Sequence, residues 1–206
     1  VSFNDGRSIP QLGLGVWQTP DDVAVEAVST ALKTGYRHID TAAVYKNEEG
    51  VGKGIVASGI DRGDIFLTTK VWNEDQGFDE TLKAMDASLK RLGTDYVDLY
   101  LIHWPSAFRG KYIETWKALI RLREEGKAKS IGVSNFEGTY IDDLIRETGV
   151  TPAINQIQLH PHFQQQAMRD KHAGLGVVTE SWSPLGQGNV LADPVIGEIA
   201  KRHGKS

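Results

Sequence analysis

Short apolar runs typical of β-strands alternate along almost the whole chain with longer segments that have a helical spacing of apolar residues. The strand-like runs are rich in Val, Ile, Leu and Tyr and are bounded by Gly, Asn, Asp or Ser. Seven strands are predicted, at Leu12–Trp17, Tyr36–Asp40, Ile65–Lys70, Tyr96–His103, Lys129–Ser134, Ala153–Gln158 and Val177–Trp182. Strand–helix units repeated at roughly 25–30 residues indicate βαβ architecture and a parallel sheet.

The helical segments between these strands carry apolar stripes and end at glycine. The clearest stripes are Ala24, Ala27, Val28, Ala31 and Leu32, and Leu82, Met85, Leu89 and Leu92. Gly93, Gly126 and Gly149 each follow a helix and precede a strand, as short helix-to-strand connections prefer. The glycines of the segment 50–54 lack the spacing of a phosphate-binding loop, and we expect them to allow close packing of a helix.

Polar and aromatic residues that could do chemistry lie at the C-terminal ends of several predicted strands. They are Asp40, Lys70, His103, Ser134, Asn135, Gln156 and Trp182. Only closure of the sheet brings so many strand ends around one mouth, whereas a doubly wound sheet confines its ligand to one crevice. The sequence therefore predicts one α/β domain over residues 1–206, a (β/α)8 TIM barrel preceded by an N-terminal β-hairpin at 1–9. Because only seven units are found, we expect the last strand–helix unit to be absent from these 206 residues.

Composition narrows the possible partners. The net charge of −4 and a pI near 5.9 argue against a nucleic-acid-binding or anionic-membrane surface. The chain has no cysteine, so disulfides and thiolate metal sites are excluded. No apolar run approaches the roughly 20 residues of a membrane span. We expect a cytoplasmic, monomeric protein that acts on a small molecule.

Four of the residues form a candidate catalytic group: Asp40, Lys70 and His103 at strand ends, and Tyr45 in a loop five residues after Asp40. A free tyrosine with a pKa of about 10 is a poor acid at pH 7, but a nearby ammonium lowers that pKa. In this interpretation Asp40 keeps Lys70 charged, and Lys70 makes Tyr45 a usable general acid. His103 would donate a hydrogen bond to a substrate oxygen. Such a phenol suits the protonation step of a carbonyl reduction.

Each residue also has a structural interpretation. Asp40 and Lys70 could form an ion pair without a catalytic role, and His103 could be a core histidine with its hydrogen bonds satisfied. Tyr45, taken alone, is more typical of a surface aromatic residue. The joint placement of the four favours catalysis over these separate interpretations.

Several segments resemble a known family. Gly35–Ala42 resembles the first sequence signature of the aldo-keto reductases, and Leu99–Pro105, Ile131–Phe136 and Asn155–Pro161 resemble later ones. The resemblance covers the whole chain in the right order. Within the family, Glu180–Gly188 looks most like bacterial 2,5-diketo-D-gluconate reductases, in which Trp replaces a commoner tyrosine.

The resemblance implies an NADPH-dependent oxidoreductase that reduces aldehydes or ketones, possible substrates being keto-sugar acids such as 2,5-diketo-gluconate. It places Asp40, Tyr45, Lys70 and His103 on the family's catalytic tetrad. It assigns cofactor contacts to Ser134, Asn135, Gln156, Trp182, Ser183 and Leu185. It assigns the substrate pocket to Trp17, Trp72 and Trp104, which the apolar pattern alone would place in the core. In the family, the eighth strand and the helix after it carry the residues that grip the 2′-phosphate of NADP. We expect that unit to be absent from these 206 residues, so the preference for NADP rests on the resemblance alone.

Two alternatives stay open at this point. His38 with Asp40, and His160 with His162, have a spacing of two that a metal-dependent hydrolase barrel could use, although Lys70 would oppose a cation near Asp40. A barrel that binds the cofactor without catalysis is the other alternative, since some relatives serve as regulatory subunits. We expect no metal site.

Overall fold

A computed structural model describes residues 1–205 as one parallel sheet surrounded by helices. The strands are β1 (Leu14–Gly15), β2 (His38–Asp40), β3 (Phe66–Val71), β4 (Val97–Ile102), β5 (Ala128–Ser134), β6 (Ile154–Gln158) and β7 (Val178–Trp182). The helices are α1 (Asp21–Lys33), α2 (Glu48–Ser58), α3 (Phe78–Leu92), α4 (Tyr112–Glu124), α5 (Gly138–Thr148), α6 (Gln166–Leu175) and α7 (Pro194–His203). Among these helices, none combines the length and the apolar character needed to cross a bilayer.

Each strand pairs in parallel with the next one in sequence, from β1 to β7. The register places Asp40 opposite Thr68 and Lys70 opposite Leu101, so consecutive strand ends meet at one rim. Because the strand order is sequential and βαβ crossovers are right-handed, all the helices lie on one face and the sheet curls with the helices outside. The predicted (β/α)8 TIM barrel architecture is confirmed, with seven strand–helix units in residues 1–205. Within residues 1–205, β1 and β7 do not pair with each other, so the sheet is open between them.

All seven predicted strands agree with the structure to within two residues at each end, but the first keeps only two of its six residues. The predicted strand Leu12–Trp17 shrinks to the two residues of β1 because its ends are not buried. Leu12 is 67% exposed and Trp17 is 49% exposed. Gly13 lies against the imidazole of His38, where a Cβ atom would come 2.4 Å from Nδ1. Leu12 and Trp17 therefore line the cavity at the barrel mouth, and Gly13 allows the backbone to approach His38. The prediction of a core strand over Leu12–Trp17 is wrong for all but the two residues of β1.

The N-terminal hairpin lies at the barrel end opposite the strand C-termini. Ser2 and Ser8 form an antiparallel bridge, and the Ile9 amide donates to the Val1 carbonyl. Phe3 and Ile9 are buried against the inner face of the barrel, in an apolar cluster completed by Leu99, Leu101, Ala153 and Ile154. The predicted hairpin is confirmed, and it closes one end of the barrel beneath the mouth.

The main core lies between the strands and the ring of helices. Helix α2 approaches its neighbours closely through glycine, as expected from the sequence. A Cβ on Gly52 would lie 2.4 Å from the Leu92 carbonyl oxygen, and one on Gly54 would lie 2.8 Å from the Val25 carbonyl oxygen. This packing holds α2 closely between its neighbours α1 and α3.

Candidate active site

The four candidate catalytic residues come together at the mouth of the barrel. Asp40 ends β2, Lys70 lies near the end of β3, and His103 directly follows β4. Tyr45 ends a short 3-10 turn, Ala43–Tyr45, between β2 and α2. Strands place the first three side chains, and a turn tied to a strand end places the fourth.

Lys70 is fully buried and points at the carboxylate of Asp40. Its Nζ donates to Asp40 Oδ1 at 2.5 Å and to the Thr41 carbonyl at 2.9 Å, and it lies 5.2 Å from the ring centroid of Tyr45. Burial works against the charged form, but Asp40 and Tyr45 together raise the pKa of Lys70 above its ordinary value. Lys70 is therefore an ammonium at neutral pH, fixed beneath the phenol.

Tyr45 is half-buried at the cavity wall, and its pKa differs from the expectation. Burial raises the pKa of Tyr45 above its ordinary value, although Lys70 lowers it. The prediction that the ammonium gives a net lowering is wrong for this structure, because removal of the phenol from water outweighs the attraction between phenolate and Lys70. Tyr45 consequently carries its proton at neutral pH, as a proton donor must.

His103 packs between two aromatic rings. Its ring centroid lies 5.6 Å from that of Tyr45 and 5.0 Å from that of Trp72, with interplanar angles of 80° in both cases. Burial, with the charge of Lys70, lowers the pKa of His103 to about 3. The imidazole is therefore neutral at pH 7. Within the described chain its buried Nδ1 has no hydrogen-bond partner.

Four of the residues assigned to the cofactor line the same cavity and are hydrogen-bonded to one another: Ser134, Asn135, Gln156 and Trp182. Ser134 Oγ donates to the Gln156 carbonyl at 2.9 Å, and Asn135 Nδ2 donates to Ser134 Oγ at 3.0 Å. Trp182 Nε1 donates to Asn135 Oδ1 at 2.8 Å, which fixes the indole plane. Gln156 Nε2 donates to Asp40 Oδ2 at 2.9 Å, so this amide also holds the carboxylate of Asp40.

One cavity of about 1100 Å³ joins all these groups except the fully buried Lys70. Its rim includes Ser183, with a left-handed φ of 50°, and Leu185, which is 61% exposed. The cavity is also lined by Trp17, Trp72 and Trp104. The apolar pattern alone predicted that all three would be buried in the core, which is wrong for Trp17 and Trp104 because both are exposed. These indoles face open space because they follow the strands rather than lie within them.

Glu180 is a part of the site to which the sequence assigned no role. Although 18% of its side chain is accessible, its Oε2 is buried and has no partner among the described residues. Burial, reinforced by the charge of Asp40, raises the pKa of Glu180 to about 8. The alternation of side chains between the two faces of β7 could have placed Glu180 in the site, because Glu180 lies two residues before Trp182 and on the same face.

A metal site is the alternative to be weighed for the acidic and histidine side chains near Asp40. Ligand atoms of His38, Asp40 and Glu180 lie within 4.8 Å of one another. However, both oxygens of Asp40 already accept hydrogen bonds, one of them from the ammonium of Lys70. In the second candidate pair, His162 is paired with Asp193 at 2.8 Å. The contacts of Asp40 favour an ion pair over metal ligation.

Comparison with known proteins agrees with this geometry. A sequence model of the aldo/keto reductase family matches residues 11–204. An aldo-keto reductase of Mycolicibacterium smegmatis is 60% identical over 206 residues, covering 100% of this chain and 75% of the relative. A glyoxal reductase of Bacillus subtilis is 48% identical over 207 residues, covering 100% of this chain and 74% of the relative.

Solved structures give the same result. A Gox0644 variant crystallised with NADPH is 53% identical with a TM-score of 0.95, covering 100% of this chain and 74% of that one. A structure described as a putative 2,5-diketo-D-gluconic acid reductase B is 40% identical with a TM-score of 0.92, covering 96% of this chain and 70% of that one. With its barrel, its cluster of Asp40, Tyr45, Lys70 and His103, and these relatives, the chain belongs to the aldo/keto reductase family.

Proposed function

We propose that this chain reduces aldehydes and ketones to alcohols with NADPH, and that Tyr45 donates the proton. One observation carries the proposal: Tyr45, a protonated phenol at the cavity wall, has its ring centroid 5.2 Å from Nζ of the fully buried Lys70. The family assignment supports the reaction type. The relative crystallised with NADPH supports the choice of cofactor.

The residues present suit a nicotinamide cofactor. The cavity of about 1100 Å³ is slightly larger than the roughly 300–1,000 Å³ usual for small-molecule sites, so it has room for a cofactor together with a substrate. Its wall offers a flat indole, Trp182, held by Asn135, as a surface for a planar ring. The side chains proposed to hold the cofactor are Ser134, Asn135, Gln156, Trp182, Ser183 and Leu185. When bound, NADPH supplies a hydride to the carbonyl carbon of the substrate.

The proton is the contribution of the protein. As negative charge develops on the substrate oxygen, the Tyr45 phenol transfers its proton to that oxygen and becomes a phenolate. The ammonium of Lys70 stabilises this phenolate electrostatically, and Asp40 keeps the ammonium in place. His103, neutral at pH 7, donates a hydrogen bond that orients the substrate oxygen. Solvent then returns a proton to Tyr45.

The aromatic wall favours small carbonyl compounds as substrates. Trp17, Trp72 and Trp104 present apolar faces next to Tyr45 and His103, which would hold a compact carbonyl compound against the proton donor. The glyoxal reductase relative supports small dicarbonyls as the first substrates to test. Keto-sugar acids such as 2,5-diketo-gluconate are the second candidate, supported by the likeness to the diketo-gluconic acid reductase structure.

A spectrophotometric assay tests this function. NADPH oxidation at 340 nm would be followed with glyoxal, methylglyoxal and 2,5-diketo-gluconate, and NADPH binding would be measured by fluorescence titration. We expect turnover with at least one dicarbonyl and formation of the matching alcohol. NADPH binding without turnover of any carbonyl would favour the non-catalytic alternative, whereas activity lost on chelation would favour a metal enzyme.

The proposal includes a single-domain, monomeric, cytoplasmic enzyme. The single sheet that includes all seven strands supports one domain, and the cysteine-free composition agrees with a cytoplasmic location. Size-exclusion chromatography with light scattering would test the monomer, with a mass near 22.7 kDa expected for this chain.

A further inference from the structure

Asn47 is a buried polar residue that lies two positions after Tyr45. Its side chain is entirely inaccessible to solvent and makes three hydrogen bonds. Its Oδ1 accepts from Thr41 Oγ1 at 2.7 Å. Its Nδ2 donates to the Val16 carbonyl at 2.8 Å and to the Thr19 carbonyl at 2.9 Å. One side-chain amide therefore joins the loop between β1 and α1 to the loop between β2 and α2, in which Asn47 itself lies.

The position of Asn47 in the chain makes these contacts unusual. It is the N-cap residue of α2, where an asparagine side chain ordinarily accepts a hydrogen bond from the second or third amide of its own helix. Here it makes no such bond. The third helical amide, that of Gly50, instead donates to Asp21 Oδ1 on α1 at 2.6 Å. A neighbouring helix supplies the cap, so the side-chain amide of Asn47 is free to bond to Thr41, Val16 and Thr19 instead.

Each partner of Asn47 leads to a group of the proposed active site. The Thr41 carbonyl accepts a hydrogen bond from Lys70 Nζ at 2.9 Å and is, with Asp40, one of the two groups that hold the ammonium. Because the Thr41 hydroxyl donates to Asn47, Asn47 fixes the position of that carbonyl. Val16 and Thr19 bracket the segment that carries Trp17 on the cavity wall. Tyr45 is joined to Asn47 through Lys46, whose left-handed φ of 58° leaves little alternative geometry for this turn.

We propose that Asn47 is a positioning residue, which holds Tyr45, the Lys70 anchor at Thr41 and the Trp17 loop in one fixed arrangement. This inference rests on the proposed carbonyl reductase function. It assigns Asn47 no contact with substrate or cofactor. Its effect is on the distance between the proton donor and the ammonium, and small displacements of such groups lower rates by up to about a hundredfold.

Three variants separate positioning from ordinary stabilisation. Asn47→Ala removes all three hydrogen bonds, and Thr41→Val removes only the bond between Thr41 and Asn47 while preserving shape. Asp21→Ala is the matched control, because it removes the cap of the same helix and leaves the contacts of Asn47 intact. For each variant, kcat with glyoxal, the Kd for NADPH, the Tm and the pH profile of reduction would be measured.

We expect Asn47→Ala and Thr41→Val to lower kcat on the order of tenfold or more, with the Kd for NADPH within about twofold of the parent. Asp21→Ala should lower the Tm yet keep kcat within about twofold. Because Lys70 lowers the pKa of Tyr45, a loosened Lys70 should move the alkaline limb of the reduction profile to higher pH. Tyr45 faces charges from Asp40 and Lys70 as well as the neutral His103, and these variants alter none of those three side chains.

The outcomes are distinguishable. A kcat that falls in parallel with the Tm in all three variants, with an unshifted alkaline limb, would overturn the positioning role while leaving the reductase function intact. An inactive parent chain would overturn the reductase function and the inference with it. If Asn47→Ala fails to fold, Thr41→Val decides: unchanged kcat and pH profile would contradict the inference.

Discussion

Lys70 determines the charge balance of the site at the scale of single residues. It is fully buried, and its ammonium lies close to two carboxyl groups and one phenol. A buried cation is stable only where hydrogen bonds and an opposite charge replace its water, and Asp40 and the Thr41 carbonyl do this. The same ammonium is the group that stabilises a phenolate at Tyr45. Stability and the proposed catalysis therefore depend on one side chain.

Replacement of Lys70 by Met tests this double role. Asp40 would be left buried without its counter-charge, so we expect a loss of about 3–5 kcal/mol in the free energy of unfolding. The phenolate would lose its stabilisation, and kcat should fall by at least about a hundredfold. Urea unfolding and steady-state reduction would measure the two effects.

Lys53→Met is the control for Lys70→Met. Lys53 is 65% exposed and pairs with Glu49 at 4.0 Å on the surface of α2. Its replacement should change stability by less than about 0.5 kcal/mol and leave kcat unchanged. Equal losses in the two variants would contradict a special role for Lys70.

The sequence was enough to predict which residues come together, but not how deeply each is buried or which way its pKa moves. Asp40, Lys70 and His103 were predictable because strand ends in a parallel barrel share one rim. The net pKa direction of Tyr45 was not predictable, since it depends on how deeply the phenol is buried. Asn47 was not predicted to belong to the site, because its role depends on hydrogen bonds to Val16, Thr19 and Thr41 that only the folded chain shows.

At the scale of elements, the predicted strands agree best with the observed ones where the strands are buried. Strands β3 to β6 are buried over most of their length and so have apolar runs that sequence patterns detect. Strand β1 has two residues and is half-exposed, so its apolar neighbours misled the prediction. Patterns of apolar residues thus locate the well-packed strands and fail where aromatic residues serve a cavity.

Gly52→Ala tests the close packing of α2 at this scale. The added Cβ would lie 2.4 Å from the Leu92 carbonyl oxygen, and backbone at that position cannot move cheaply. We expect a loss of about 1–3 kcal/mol despite the better helix propensity of alanine, measured by urea unfolding.

Gly197→Ala is the matched control for Gly52→Ala. Gly197 also lies inside a helix, α7, and no heavy atom lies within 4 Å of its Cβ position. Its replacement should stabilise the protein by about 0.5–1 kcal/mol. Stabilisation by both variants would show that α2 does not pack as described.

At the scale of the whole molecule, the barrel separates structural from chemical tasks. The N-terminal hairpin and its apolar cluster occupy one end, and the polar strand ends surround the cavity at the other. The polar residues at the ends of several strands were enough to predict the mouth, whereas the position of the hairpin at the other end was not predicted. The hydrogen bond between Gln156 on β6 and Asp40 on β2 was beyond the sequence, because it depends on how the two sides of the sheet approach each other across the barrel.

The central claim is that Tyr45 donates the proton in carbonyl reduction. Tyr45→Phe removes only the hydroxyl and keeps the ring that packs against His103. We predict that kcat with glyoxal falls by about 10²–10⁴-fold or more, the usual contribution of a general acid, while the Kd for NADPH changes by less than about twofold. The measurement is kcat alongside fluorescence titration of NADPH for the parent and Tyr45→Phe. A Phe variant that reduces glyoxal at the parent rate would contradict the account.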